Sequence, residues 1–178
     1  MKLTKLIFLF VLTLAAVSCS KDDNNDPEPY NLTNANLAGT YKISAVSGNS
    51  TSTTNVSGTT VTIATTTVVG DTFQVSIIFN ENGTYTATGQ YRIVTTITPT
   101  GQDPIVSEEI LVVDSSGSYS VNSSNQTITF NSNDDSFVEG LFDVTLFNNT
   151  TFNLMQEDVT TDGGITTTSE ANINLTRV

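Results

Sequence analysis

Phe73-Gln74-Val75-Ser76-Ile77-Ile78-Phe79-Asn80-Glu81-Asn82-Gly83-Thr84-Tyr85-Thr86-Ala87 alternates apolar and polar side chains on either side of one turn. Phe73, Val75, Ile77 and Phe79 share a parity, and Tyr85 with Ala87 resumes the alternation after Asn82-Gly83. Successive side chains of a strand point to opposite faces, so a period of two describes a strand with one buried face. Asn-Gly is the strongest short hairpin signal, because a tight two-residue turn needs positive φ at both central positions. This stretch therefore predicts a β-hairpin.

The same pattern spreads outward. Upstream, Tyr41, Ile43 and Ala45 alternate with polar neighbours, and Val61 with Ile63 repeats this inside a Thr-rich segment. Downstream, Gly89 reads as a break before Tyr91, Ile93 and Ile97, and 98–103 with Pro104 reads as a loop. Ile105 to Val113 is apolar at both ends, Ser115-Ser116-Gly117 reads as a turn, and Tyr119 with Val121 follows. Asn122 to Asn125 turns the chain into Ile128 and Phe130; a polar loop follows at Asn131 to Asp135. Phe142, Val144 and Leu146, then Phe152 and Leu154, then Ala171, Ile173 and Leu175 complete the series, with turns at Asn148-Asn149 and Asp162-Gly163-Gly164. Only Asn31 to Leu37 suggests a helical turn. Roughly nine or ten short strands at regular spacing predict an all-β domain. An antiparallel up-and-down meander closing into a barrel removes its own edges, with a β-sandwich as the alternative.

Composition bounds the chemistry. There are 18 acidic and 6 basic residues, no histidine, no tryptophan and one cysteine. The net charge of −12 repels phosphate backbones, so no nucleic-acid partner is expected. A single cysteine rules out disulfide stapling within the chain, and an imidazole-based triad has no imidazole. Adjacent acids such as Glu108-Glu109 and Glu157-Asp158 point to opposite faces of a strand, so they cannot jointly hold one water as a glycosidase requires. No metal, cofactor or catalytic set is expected, and calcium at Asp134-Asp135 or at the acids of 22–26 is the remaining metal alternative.

The N-terminal part has its own logic. Lys2 and Lys5 precede an apolar run, Leu6 to Leu14, that is too short for the roughly 20 residues of a membrane span. A charged start, a short apolar core and small residues describe an export signal. Ala16-Val17-Ser18 before Cys19 resembles a bacterial lipobox, which implies removal of residues 1–18 and acylation of the Cys19 thiol. An ordinary signal peptide containing a cysteine is the alternative. Residues 19–34 then form an acidic, Pro-containing tether. Ser20-Lys21-Asp22-Asp23 is similar to the surface-export signal of Bacteroidetes lipoproteins, which implies that Lys21, Asp22 and Asp23 direct an outer-membrane, surface-exposed location, with the periplasmic face as the alternative.

Several short motifs over residues 35–178 carry a family resemblance. Asn36-Leu37-Ala38-Gly39-Thr40-Tyr41-Lys42-Ile43 resembles the opening of bacterial lipocalin-like domains, with Tyr41 where the family usually has tryptophan. Phe79 to Tyr85 is similar to their F-x-x-x-G-T-Y hairpin. Gly117 to Val121 with Ile128 to Phe130, and Leu175-Thr176-Arg177 at the end, resemble their later strands. The resemblance implies a lipocalin-like β-barrel whose last-strand Arg177 lies over the first-strand aromatic, Tyr41, at the barrel floor. It further implies a small hydrophobic or amphiphilic ligand in the barrel mouth, with Phe73, Ile77, Tyr85, Tyr91, Tyr119, Phe130 and Phe142 as candidate pocket lining. Two outcomes stay open at this point. A cavity above about 300 Å³ favours a ligand site. A filled interior favours an interaction module that binds envelope proteins or glycans.

Overall fold

A computed structural model describes residues 30–133 and 138–178. Cys19, Lys21, Asp22, Asp23 and the Asp134-Asp135 pair lie outside the described residues. A four-residue helix, α1 (Asn34–Leu37), precedes nine strands: β1 (Gly39–Val56), β2 (Thr59–Asp71), β3 (Ser76–Phe79), β4 (Thr84–Pro99), β5 (Ile105–Asn122), β6 (Thr127–Ser132), β7 (Gly140–Phe147), β8 (Thr151–Asp162) and β9 (Ile165–Arg177). The Thr33 side chain caps α1, accepting from the Asn36 amide at 3.1 Å. Leu32 and Leu37 are buried, and Tyr30 packs on Phe147 with centroids 4.9 Å apart. Tyr30 and Leu32, inside the segment expected to be tether, are therefore already packed on the body.

All nine strands belong to one antiparallel sheet. Each strand pairs with its neighbour in sequence order from β3 to β9, and β9 returns to β1 along Tyr41 to Thr54. On its other flank β1 pairs first with β3 and then with β2. β2 and β3 share one slot between β1 and β4, one above the other. Ser47 faces Val69 while Lys42 faces Ser76, so two extra residues bulge out where the slot changes hands. Thr72 absorbs the bend at φ 54°.

The sheet has two tiers. In the lower tier β1, β3, β4, β5, β6, β7, β8 and β9 form a closed ring of hydrogen-bonded pairs. Its interior holds the core, including Tyr41, Ile43, Val75, Ile77, Phe79, Tyr85, Phe130, Phe152, Leu154 and Leu175. β6 meets β5 only along Gly117 to Asn122, and β7 meets β8 only along Met155 to Phe152. Above them the upper tier is an open sheet running β5, β4, β2, β1, β9, β8. Thr and Ser are the commonest side chains there, and nearly all side chains are half-buried or exposed.

Four local expectations give way to longer-range packing. β5 runs unbroken through Ser115-Ser116-Gly117, because Ser115 points into the core and the backbone of β6 lies against Gly117. A Cβ at Gly117 would stand 2.3 Å from the Asn131 carbonyl oxygen. Gly89 likewise does not interrupt β4: it stands at φ 133°, and a Cβ there would meet the Gln74 carbonyl oxygen at 2.1 Å. The turn after β3 spans Asn80 to Thr84, with the Gly83 amide donating to Asn80 O at 3.0 Å. Positive φ falls on Gly83 and not on Asn82, whose side chain instead accepts from the Thr84 hydroxyl at 2.8 Å. Finally, Ser44 is an unpaired extra residue between Ile43 and Ala45, so Val46 and not Ala45 continues toward the core.

Candidate functional site

Three places on this scaffold concentrate chemistry: the floor, the interior and the open upper tier. At the floor, Tyr41 and Arg177 are register partners across the β1–β9 seam. The guanidinium carbon lies 4.9 Å from the Tyr41 ring centroid. Arg177 Nη1 donates to the Ala38 carbonyl at 2.9 Å, and Nη2 donates to the Asn36 carbonyl and to Tyr41 Oη. One cation thus ties the last strand to the carbonyl end of α1 and to the first strand. Burial pushes the Tyr41 hydroxyl up to about 12, with Arg177 opposing that rise. The Tyr30 hydroxyl donates to the same Asn36 carbonyl at 3.0 Å, so the groups gathered here bond to backbone and to one another and tie the frame together.

The interior is an aromatic cluster centred on Phe79. Tyr41, Tyr119 and Phe152 meet it edge-on at 5.5, 5.3 and 5.9 Å, and Phe130 lies tilted at 6.2 Å. Edge-to-face rings at 4.5–7 Å are the favoured aromatic geometry. Tyr85 packs on Phe130 at 5.4 Å, and Phe130 in turn packs on Phe142 at 5.7 Å. The void enclosed by Ile77, Phe79, Tyr85, Phe130, Val138 and Leu154, among others, is about 10 Å³. That is at the scale of a single water and far below a ligand chamber.

Of the seven residues weighed as pocket lining or as core, Ile77, Tyr85 and Phe130 border this small void, and five pack in the interior. Ile77, Tyr85, Tyr119, Phe130 and Phe142 are buried in mutual contact. Phe73 stacks on Tyr91 at 5.9 Å and covers the top of the closed tier. Their hydroxyls serve the frame: Tyr119 Oη donates to the Asn80 carbonyl at 2.6 Å, and Tyr85 Oη to the Val138 carbonyl at 3.4 Å. Burial, with Glu81 adding to it, pushes the Tyr119 hydroxyl up to about 12. Phe79 and Phe152, the two rings that close the space, share parity with these residues and were legible as core. Their power to exclude a ligand was not, because ring volume against barrel width is a three-dimensional sum.

The upper tier carries the polar features. On its outer face Arg92 is held between Asp71, at 2.6 Å, and Glu108, at 2.9 Å. The Arg92 guanidinium and the Thr72 hydroxyl hold the Asp71 carboxyl down to about 2. Glu108 and Glu109 sit on opposite faces of β5, as do Glu157 and Asp158 on β8, by strand alternation. Among the described residues no group of three or more Asp, Glu, His or Cys side chains is placed to hold a metal ion.

No family model and no curated protein matches the chain. Among solved structures it is similar to "the crystal structure of Ail, the attachment invasion locus protein of Yersinia pestis", at 8% identity, over 80% of this chain and 100% of that chain, with a TM-score of 0.23. A likeness that loose carries no argument about fold or function.

Proposed function

We propose that this chain is a lipid-anchored outer-membrane protein, related to the bacterial lipocalin-like domains, whose β-barrel is a non-catalytic interaction module of the cell envelope. The observation that carries this reading is the packed interior: among the described residues the void at the Phe79 cluster is about 10 Å³, too small for a fatty acid or comparable ligand. In this reading binding uses outer surfaces and strand edges. The arrangement of acids supports a non-enzymatic role, since adjacent carboxylates diverge and the tyrosine hydroxyls bond to backbone carbonyls. Acylation at Cys19 and surface export through Lys21, Asp22 and Asp23 supply the address in this proposal. The acidic balance favours protein partners over nucleic acid.

Three measurements test it. Displacement of a fluorescent fatty acid from the purified protein should show no specific binding; a saturable, stoichiometric complex would replace the interaction module with a ligand carrier. Radiolabelled palmitate should enter the wild-type protein and not the Cys19→Ser variant, and protease applied to intact cells should remove the domain. Equal labelling of both proteins would sink the anchor.

A further inference from the structure

The ring that closes the lower tier is interrupted above it. Between β5 and β8 the lower tier holds β6 and β7, but the upper tier holds no described strand in those two positions. Ile105 to Val113 pairs with β4 on one flank and has no ladder partner among the described residues on the other. Among the described residues, Glu157 to Asp162 pairs with β9 alone. Two bare strand edges therefore face one notch.

The β5 edge has an unusual composition for bare backbone. Ile105, Val106, Ile110 and Val112 are 59, 60, 63 and 76% exposed. Soluble proteins blunt such edges with lysine, proline or a short strand, since a long apolar edge is a template for another chain. Here the blunting charge is all of one sign. Glu108 and Glu109 interrupt the apolar run, and Glu157, Asp158 and Asp162 stand on the facing edge, with no lysine or arginine on either. Arg92, the cation nearest them, is already shared by Asp71 and Glu108.

We propose that the β5 edge, residues 105–113, takes up an extended cationic segment of another protein as an added strand that sits in the notch. Strand addition uses backbone hydrogen bonds for affinity and alternate side chains for selection. Apolar residues of the incoming strand cover Ile110 and Val112, while lysine or arginine meets Glu109 and the acids of β8. A second copy of this chain brings the same acids to the same edge, so like charge disfavours self-pairing. Such pairing deepens the interaction-module reading and rests on it.

The test uses the full-length protein in detergent and synthetic peptides about nine residues long, enough to cover the edge at roughly 3.4 Å per residue. One alternates lysine with valine, one replaces lysine by glutamate, and one keeps lysine but carries a central proline. The lysine–valine peptide should bind, weaken as salt is raised, and slow amide hydrogen exchange within residues 105–113. Glu109→Lys and Val112→Lys should each weaken binding by at least about tenfold, while Leu146→Lys, on β7, leaves it unchanged. No binding of the lysine–valine peptide, equal binding of the glutamate or proline peptide, or binding without slowed exchange in 105–113 would overturn the assignment. Dimerisation through this edge in sedimentation would overturn it in favour of a second copy. Fatty-acid binding in the same preparation would instead overturn the interaction-module reading beneath it.

Discussion

Arg177 and Tyr41 lie 136 positions apart in the chain yet share a register pair, a cation–ring contact and a hydrogen bond. The guanidinium also satisfies the Ala38 and Asn36 carbonyls, which a short helix leaves without intrahelical partners. Removing it takes this donor from the Ala38 carbonyl and the Tyr41 hydroxyl at a half-buried position, while the Asn36 carbonyl keeps the Tyr30 hydroxyl at 3.0 Å. Arg177→Ala should cost about 2–3 kcal/mol, read as a lower denaturant midpoint with an unchanged slope. Lysine at the same position carries one ammonium and no fork, so it should restore only part of the loss. An unchanged midpoint for the alanine variant would refute the role of Arg177 in holding the floor.

Gly89 and Gly101 separate two kinds of glycine requirement. Both stand at positive φ, but a Cβ at Gly89 meets the Gln74 carbonyl at 2.1 Å while one at Gly101 meets nothing within 4 Å. Gly101→Ala should cost about 1 kcal/mol, the backbone term alone. Gly89→Ala must also displace the bulged strand and should cost about 3 kcal/mol or more, or abolish folding. Similar midpoints for the two variants would show that the close approach at Gly89 is relieved without cost.

At alkaline pH the tyrosines set the limit. Tyr41 and Tyr119 ionise near 12 in the folded protein against about 10 when unfolded. The folded state therefore holds protons that the unfolded state releases, and stability falls as pH rises from about 10 toward 12. Below pH 10 these groups leave stability unchanged. Phenolate absorbance should show late titration for them, and Tyr119→Phe should make the alkaline loss shallower. A slope unaltered by that variant would discount Tyr119.

The acid side has a separate source. Asp71 titrates near 2, below its ordinary value of 3.8, because Arg92 and the Thr72 hydroxyl bond the carboxylate. Its contribution is complete above about pH 4 and disappears as pH falls toward 2. Asp71→Asn should remove that part of the acid transition while leaving the alkaline limb in place. The pair is exposed, so raising salt should shrink the same difference.

Parity along each strand carried most of the architecture. Tyr41, Ile77, Tyr85, Phe130, Phe142 and Leu175 all occupy the interior their alternation assigns them. The misreadings fall where a distant backbone decides. Gly117 looks like a turn residue in Ser115-Ser116-Gly117, but the packing of Asn131 against it lies outside any local window. Gly89 looks like a breaker for the same reason. The Ser44 bulge has no side-chain signature, since a register shift is a property of two strands together. Ring volume decided against a ligand chamber, and no spacing rule counts how many aromatics meet at Phe79. The bare flank of β5 was hidden by the false turn at Ser115: a strand cut into two halves does not show that only one half has a second partner.

The seam between β1 and β9 has a consequence for biogenesis. β1 is synthesised first among the strands, but its long partner consists of the last residues described, so that flank has no β9 to pair with until Ile165 to Arg177 is made. Pairings between such distant segments assemble slowly. During synthesis the growing polypeptide is thus an incomplete ring with a sticky margin, and premature termination anywhere before Ile165 leaves that margin available to aggregation. A holding chaperone that shields β1 until the final strand docks is the natural complement to this topology.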